Sequence, residues 1–283
     1  MSYIYVIVSS VLFGIFPTLQ NQAILNGASP VFVVLFCNLI CVAGSLLLCL
    51  VNRIDLKINA REAVCYFLSG LSIFITDYTL ALSYTRIPVG LATMIHFVYP
   101  VLVYIATVFF FHNGIDAGRI LAIVLSVSGL FLLNDGETVS DLRGVVYALV
   151  SALSYSCNLL LLERGPIREH DPFKKNFYMF AVALFFSLIM DPGNISFTDI
   201  SGSQLIFMTL AGLSLICGSI LLTNGIFLLG SSDSAFISTL EPVTSLAVSS
   251  LVYHYVLKPR SVIGCAFIIL SLIPIMKKSG KQQ

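Results

Sequence analysis

Two short segments of this apolar chain combine polar side chains with a proline at helical spacing. In each, residues at positions i, i+3 and i+4 lie on one face of a helix. Their polar atoms could therefore bind the same small molecule. The two sets are His96, Tyr99 and Pro100, and Ser238, Glu241 and Pro242. They are separated by a constant 142 residues.

The two prolines should interrupt the helices that carry them. Proline cannot donate to the carbonyl four residues earlier, so Pro100 and Pro242 leave the carbonyls of His96 and Ser238 without that partner. In a bilayer, such carbonyls are tolerated only where they are buried in protein or line a cavity. We therefore predict that both sets face inward and that their polar residues bind a substrate.

Asp77 is the acidic residue placed deepest in an uninterrupted apolar run. Ionisable residues within membrane spans are costly and usually functional. A carboxyl that binds and releases a proton inside a span is what proton-coupled movement requires, so Asp77 is the candidate coupling residue. The alternative is a neutral Asp77 that is hydrogen-bonded permanently to a neighbouring helix.

Two further residues are candidates for binding the substrate, namely Tyr78 and Asn158. Polar side chains of this kind also hold transmembrane helices together, and for each of them that alternative stays open. The same holds for His96 and Glu241, which could be packed hydrogen-bonding groups without a role in binding.

The composition is that of an integral membrane protein. Hydrophobic residues make up 58% and charged residues 10% of the 283 residues, and the mean hydropathy is +0.97. Soluble domains are roughly 25% charged. With a net charge of +1, no basic or acidic field suggests a nucleic acid or a polyanionic partner. The lipid bilayer is the expected surrounding.

Ten segments are apolar enough to be membrane helices. The fifth and tenth are short, so they require tilt or a locally thinner bilayer. The sequence predicts an all-α protein with spans Tyr3–Leu19, Val31–Val51, Ala63–Tyr84, Val89–Phe111, Ile120–Leu133, Val145–Leu162, Phe173–Met190, Leu205–Leu229, Ala235–Leu257 and Val262–Met276.

The chain repeats itself at the 142-residue offset, which also relates Pro30 to Pro172 and His112 to His254. Each half contains five spans, and because five is odd the second half must enter the membrane from the opposite side. We predict two inverted five-helix repeats, residues 1–138 and 139–283, that together form one transmembrane domain. Inverted repeats place a site near the bilayer midplane that can open to either face.

Basic residues indicate the orientation. With the N-terminus inside, eleven of the fifteen Lys and Arg residues lie on the cytoplasmic side and four on the other. The positive-inside rule therefore places both termini in the cytoplasm, in the cytoplasmic (inner) membrane.

Sequence patterns of enzymes are missing. There is no HExxH zinc motif and no Walker A motif, so neither a zinc hydrolase nor an ATP-driven motor is indicated. Gly212-Leu213-Ser214 begins a serine-hydrolase pattern, but Leu215 replaces its final glycine. We predict no enzyme activity, no cofactor, no metal site and no use of ATP.

The LEPV run at Leu240–Val243, preceded by Gly225–Gly230, stands in the second half of a ten-span repeat. In this respect the chain resembles the EamA type of the drug/metabolite transporter superfamily over essentially its whole length. The resemblance implies export or exchange of amino acids, their derivatives and other small metabolites without ATP. It also implies a central cavity lined by the first, third, fourth, sixth, eighth and ninth spans.

Two features depart from that family. Tyr99 stands where the second half has Glu241, and the family's frequent Gly-Glu-Arg after the fourth and ninth spans is replaced by His112-Asn113 and His254-Tyr255. The missing Gly-Glu-Arg affects the usual loop contacts and leaves the expected fold unchanged.

The sequence therefore predicts a secondary transporter, an exporter or exchanger of small organic metabolites such as amino acids, working by alternating access. No span has Lys or Arg at its centre, which favours neutral or cationic solutes, and protons are the candidate coupling ion. A channel-like facilitator without ion coupling and a non-transporting membrane scaffold are the alternatives.

The predicted topology can be tested with reporter fusions at Ser2, Gly136 and Gln283. Ten spans and an inverted repeat require Ser2 and Gln283 on the cytoplasmic side and Gly136 on the opposite side. A reporter at Gly136 on the same side as the termini would contradict the inversion.

Overall fold

The computed structural model describes residues 2–112, 114–133, 141–190, 200–253 and 258–279. Within these ranges the chain is helical and has no strand. The helices are α1 Ser2–Leu25, α2 Pro30–Val51, α3 Ala60–Tyr84, α4 Val89–His96, α5 Tyr99–Phe109, α6 Ala117–Leu133, α7 Leu142–Arg164, α8 Pro172–Met190, α9 Gly202–Leu229, α10 Ser231–Ser238, α11 Leu240–Tyr253 and α12 Pro259–Ser279.

These helices form the ten apolar segments that the sequence predicts. Eight segments of the described chain are long and apolar enough to cross a membrane. The other two, α6 and the apolar part of α12 at Pro259–Ile275, are shorter, as predicted for the fifth and tenth spans. The fourth and ninth spans are each divided into two helices, α4 with α5 and α10 with α11.

Two predicted boundaries were wrong by four residues or more. The first helix continues through Pro17 to Leu25 rather than ending at Leu19, so the proline is accommodated inside it. The ninth span begins at Ser231 rather than Ala235, because Gly230 alone makes the turn. Its φ of +85° lies in the left-handed region that favours glycine. Gly136, His254 and the repeat boundary between residues 138 and 139 lie outside the described residues.

Helices in the two halves begin at equivalent positions. The pairs α2 and α8, α3 and α9, α4 and α10, and α6 and α12 each begin 142 residues apart. The local signals recur as well. Asn59 and Glu62 form a capping box at the start of α3, and Ser201 and Gln204 form one at the start of α9, again 142 residues apart. Each satisfies backbone N–H groups that the helix itself cannot pair.

Small residues allow the helices to pack closely across the two halves. α1 lies along α9 and α11, α3 along α7 and α8, and α6 along α12. The Ser9 hydroxyl of α1 donates to the carbonyl of Gly218 in α9 at 2.7 Å, and Ser83 of α3 donates to the carbonyl of Gly144 in α7 at 2.8 Å. Such approaches are typical of membrane helix pairs.

The contact between α6 and α12 predicts a large difference between two glycine substitutions. A Cβ at Gly129 would lie 2.7 Å from the carbonyl oxygen of Gly264, whereas a Cβ at Gly202 meets nothing within 4 Å. Forcing side-chain atoms into a packed contact costs about 1–3 kcal/mol. Gly129→Val should therefore lower the melting temperature in detergent, and Gly202→Ala should leave it unchanged or slightly higher. Equal effects would contradict this packing.

Candidate functional site

The two divided spans break at equivalent places. α4 ends at His96 and α5 begins at Tyr99, with Pro100 in its first turn. α10 ends at Ser238 and α11 begins at Leu240, with Pro242 in its first turn. The first turn is the part of a helix that tolerates proline, because its N–H groups have no intrahelical acceptor. Both prolines therefore stand where the helix needs no hydrogen bond from their nitrogen atoms.

Three aromatic rings meet at the first break, and we refer to His96, Tyr99 and Tyr155 as the aromatic triad. The ring centroids are 5.4 Å apart for His96 and Tyr99, 5.7 Å for His96 and Tyr155 and 4.8 Å for Tyr99 and Tyr155. The two tyrosine rings meet edge to face at 89°. This is a favourable arrangement of the ring quadrupoles.

His96 is fixed by a hydrogen bond to α7. Its Nδ1 lies 2.9 Å from Ser151 Oγ, and Ser151 donates its own proton to the carbonyl of Ala148 at 2.8 Å. A hydroxyl has a single proton, so His96 Nδ1 is the donor in this pair. The neutral ring consequently presents Nε2 as an acceptor.

Three buried oxygen atoms at the breaks lack a hydrogen-bond partner among the described residues. They are Tyr99 Oη, Ser238 Oγ and Glu241 Oε1. The Ser238 hydroxyl lies within hydrogen-bonding reach of the phenol of Tyr99 and the carboxyl of Glu241, although it has the strict geometry of a hydrogen bond with neither. A buried polar group without a partner costs about 1–3 kcal/mol. These three atoms together form a polar group at the breaks to which water or a polar ligand can bind.

Tyr155 lies in the electrostatic field of both intramembrane acids. It lies within electrostatic range of Glu241 and of Asp77. Asp77 is partly exposed and also lies within range of Cys37 and Cys41 on α2. Asp77 and Glu241, from α3 and α11, therefore approach the same tyrosine of α7.

Two of the predicted binding residues have other contacts. Asn158 Oδ1 accepts a short hydrogen bond from Ser69 Oγ, which joins α7 to α3. The ring of Tyr78 stacks on Phe74 with centroids 5.5 Å apart. The structure thus brings together His96, Tyr99, Ser238 and Glu241, and it gives Asn158 and Tyr78 contacts of their own.

Tyr155 was missed from the sequence. It follows Ser151 by four residues, so the two share the face of α7 that meets His96. That spacing could have indicated it, because Ser151 stands 142 residues after Ser9, at the offset of the repeat. A tyrosine in an apolar helix was otherwise indistinguishable from a packing residue.

One end of the molecule is closed by polar contacts, and we define the closed end by Tyr104, Arg119, Glu163, Ser231 and Asp233. Arg119 Nη2 lies 2.8 Å from Asp233 Oδ1. Tyr104 Oη accepts a hydrogen bond from the backbone N–H of Asp116 at 2.9 Å. All eight residues of α10 are buried, and α10 packs on α5.

Glu163, at the end of α7, caps the first turn of α10. Its Oε2 accepts from the backbone N–H of Ser231 at 3.0 Å and also accepts a short hydrogen bond from Ser231 Oγ. A carboxylate at a helix N-terminus satisfies N–H groups and is stabilised by the helix dipole. The contact holds the start of α10 against the end of α7.

The equivalent positions at the other end carry no charges. Arg119, Asp233 and Glu163 correspond, 142 residues away, to Ser261, Leu91 and Asn21. Asn21 is exposed and donates to Tyr253 Oη at 2.7 Å. No residue of α11 is buried, and α4 does not pack on α11 as extensively as α10 packs on α5. The two ends therefore differ in packing and at these three positions, while the other end has an ion pair of its own between Arg86 and Asp141 at 3.0 Å.

No other feature of the described residues indicates a second site for a polar solute. Its residues include no group of three or more His, Cys, Asp or Glu placed to hold a metal ion. An open apolar depression of about 630 Å³ lies between the start of α3 and the end of α7, around Cys65, Leu68 and Leu161. Its lining is almost entirely apolar and includes none of the residues at the helix breaks.

Comparison with known proteins indicates the family. A model described as the EamA-like transporter family matches residues 1–135 and, separately, residues 142–276. A protein of Synechocystis sp. named as an uncharacterized transporter is 26% identical over 213 residues. That alignment covers 72% of this chain and 63% of the relative, so the chain spans less than two thirds of the relative's length.

A solved structure shares the fold. A crystal structure described only as that of a protein superimposes with a TM-score of 0.82, covering 97% of this chain and 96% of the other. The sequence identity is 15%, so this likeness shows the architecture alone.

The unpartnered oxygens predict an unusual response to mutation. Removing a hydroxyl that has no partner should leave stability unchanged or raise it, whereas removing a paired hydroxyl should cost about 1 kcal/mol. Tyr99→Phe should therefore not lower the melting temperature in detergent, and Ser69→Ala, which loses the bond to Asn158, should lower it. A clear loss of stability in Tyr99→Phe would show that its hydroxyl is bonded within the protein.

Proposed function

This chain belongs to the EamA-like transporter family, and we propose that it is a secondary transporter of small organic solutes that works by alternating access. The observation that carries the proposal is the difference between the two ends. One is closed by Arg119, Asp233 and Glu163, while the equivalent contacts at the other are absent or neutral among the described residues. Between the ends lie the helix breaks with their unpartnered oxygens.

We propose that residues 1–138 and 139–283 are inverted repeats within one transmembrane domain. Helices that begin 142 residues apart support this, as does the family model, which matches once in each half. With five spans in each half, equivalent helices run in opposite directions. A pseudo-two-fold axis in the membrane plane then relates the break at His96 to that at Ser238.

Alternating access follows if the halves exchange conformations. In the second state α4 would pack on α11 as α10 packs on α5 here, and Asn21 would approach the start of α4 as Glu163 approaches that of α10. Because Arg119 and Asp233 have the neutral equivalents Ser261 and Leu91, the ion pair favours the present state. The two halves are similar enough to exchange conformations, and they differ enough that one of the two states is more stable.

We propose a substrate site that consists of His96, Tyr99, Ser238 and Glu241, and we add Tyr155 because its ring lies beside those of His96 and Tyr99. Asp77 is the proposed proton-coupling residue, because it is an intramembrane acid within electrostatic range of Tyr155, as Glu241 is. Asn158 and Tyr78 remain predictions, with contacts to Ser69 and Phe74 that account for them structurally.

Direction, membrane and solute follow the sequence-based prediction. We propose an exporter or exchanger of amino acids or related compounds in the cytoplasmic (inner) membrane, with both termini inside. The closed end is then the cytoplasmic one, since Arg119 and Arg164 lie on the side rich in basic residues. Family membership supports transport without enzyme chemistry.

The two alternatives make different demands on the structure. A non-transporting scaffold has no need of unpartnered oxygens beside paired helix breaks. A channel-like facilitator needs one state that is open at both ends, and the ion pair of Arg119 with Asp233 opposes such a state.

The proposed coupling predicts the effect of Asp77→Asn, which keeps the size and hydrogen bonding of the side chain but cannot titrate. In proteoliposomes, the wild type should accumulate solute when a pH gradient is imposed. Asp77→Asn should still exchange solute across the bilayer but lose the gradient-driven accumulation. Glu169→Gln, at a side chain that is 74% exposed, is the matched control and should behave like the wild type.

Two outcomes would remove Asp77 from the coupling mechanism. If Asp77→Asn retains the accumulation, the carboxyl is structural. If the wild type does not respond to the gradient, uncoupled transport is favoured.

A further inference from the structure

We propose that the apolar depression between the start of α3 and the end of α7 binds an acyl chain of an anionic phospholipid, whose headgroup phosphate is held by Arg61. We call this depression the lipid groove and define it by Ala60, Arg61, Val64, Cys65, Leu68, Leu161 and Pro166. The inference concerns the outer surface of the molecule and does not depend on the transport function. It requires an elongated groove, an apolar lining and an unpaired cation at the outer end.

One face of α3 forms the length of the lipid groove. Four residues on it are spaced i, i+3, i+4 and i+7, namely Arg61, Val64, Cys65 and Leu68. They therefore lie along one side of the helix. With a rise of about 1.5 Å per residue, this side runs for about 10 Å from Arg61 to Leu68. The open volume is about 630 Å³, so the groove can take part of an extended hydrocarbon chain.

The end of α7 forms the other wall. A helix usually ends at or before the residue that precedes a proline, and α7 ends at Arg164, just before Gly165 and Pro166. A Cβ at Gly165 would lie 2.6 Å from Cys65 Sγ, so the two helices touch at this level. Because α7 stops there, the side chains on this face of α3 are left open towards the bilayer.

The lining suits hydrocarbon. Val64 is 59% and Leu68 is 43% exposed, while Cys65 is buried at the bottom of the groove. Apart from Arg61 and the thiol of Cys65, the lining side chains are apolar, so they offer no hydrogen bond to a polar solute. In a bilayer, apolar surfaces associate mainly through van der Waals packing, since lipid tails are as apolar as protein side chains. A shaped apolar groove therefore selects an acyl chain.

Arg61 supplies a charge at the outer end of the groove. It is exposed and makes no hydrogen bond or ion pair with the residues that the structure describes, whereas four other arginines each pair with a carboxylate. The planar guanidinium group matches the oxygens of a phosphate and can bind two of them at once. A phosphate at the membrane surface is thus a suitable partner for Arg61.

The neighbouring acid does not neutralise Arg61. Glu62 Oε2 accepts a hydrogen bond from the backbone N–H of Asn59 at 2.9 Å, and Glu62 Oε1 lies 3.4 Å from His170 Nε2. This carboxylate is therefore engaged with the cap of α3 and with the segment between α7 and α8. A headgroup that carries an ammonium group would bring a second cation beside Arg61, so a headgroup with a net negative charge is favoured.

The groove has its charge and its apolar lining in the order that a phospholipid needs. Arg61 lies in the first turn of α3, next to the cap at Asn59, and Leu68 lies about two turns further into the span. In the proposed orientation the start of α3 faces the cytoplasmic leaflet, whose anionic lipids attract basic residues near the membrane surface. The phosphate then meets Arg61 while the chain extends along the groove.

The test compares dioleoylphosphatidylglycerol with dioleoylphosphatidylethanolamine, which have identical acyl chains. Native mass spectrometry of the full-length protein gives the dissociation constant of each lipid. Phosphatidylglycerol should bind about threefold or more tightly, because an exposed ion pair changes binding by up to about fivefold. Equal dissociation constants for the two lipids would overturn the assignment of an anionic headgroup.

A pair of arginine variants locates the headgroup. Arg61→Gln should weaken phosphatidylglycerol binding by about threefold or more and bring it close to that of phosphatidylethanolamine. Arg143→Gln is the matched control and should behave like the wild type. Arg143 is also exposed and is the second residue of α7, as Arg61 is of α3, but it lies at the other end of α7 from the groove. An equal loss in both variants would indicate general attraction to basic residues and overturn the site.

A second pair of variants and a crosslink locate the acyl chain. Val64→Phe should fill the groove and weaken the binding of both lipids, whereas Val124→Phe on α6, where the valine is 55% exposed, should not. Phosphatidylglycerol with a photoreactive diazirine on its acyl chain should crosslink to residues 60–68 or 161–166. Unchanged binding in Val64→Phe, or crosslinks confined to other segments, would overturn the proposed groove.

Discussion

In a bilayer, a backbone group without a hydrogen-bond partner costs several kcal/mol, so a membrane helix is interrupted only where protein surrounds the break. This chain interrupts two spans at equivalent positions, between His96 and Tyr99 and between Ser238 and Leu240. Both breaks must be enclosed by neighbouring helices. That requirement brings α1 and α7 against them and places polar side chains in an otherwise apolar interior.

The differences between the halves are as important as their similarity. Ser156 of α7 donates its hydroxyl to the carbonyl of Tyr99 at 3.2 Å. Gly14, its equivalent in α1, has no side chain, and a Cβ there would lie 2.7 Å from the carbonyl oxygen of Glu241. The second break is thus contacted by the backbone of α1 at Gly14, and it carries the carboxyl group of Glu241. Together with the ion pair of Arg119 with Asp233, this makes the two similar halves differ both at the helix break and at one end.

Local sequence signals predicted much of this architecture. Apolar length identified the ten segments, and Pro100 and Pro242 marked the two breaks, because both effects act within a few residues. The same reasoning could not pair Arg119 with Asp233, which are 114 residues apart, or distinguish Asn158 as a partner of Ser69. The position of Tyr155 beside His96 and Tyr99 depends on the packing of α7 against α4 and α5. Such pairings depend on how the helices assemble, which local periodicity does not specify.

The central claim is that the two ends of the molecule open and close alternately. Distances between spin-label pairs test this claim most directly. On a cysteine-free background, one pair at Phe109 and Leu228 reports on the closed end, and one at Thr85 and Leu251 reports on the other. Asp233→Asn removes the ion pair and should lengthen the first distance while shortening the second in the same fraction of molecules. Lengthening at the closed end with no change at the other would instead indicate a channel-like opening and contradict alternating access.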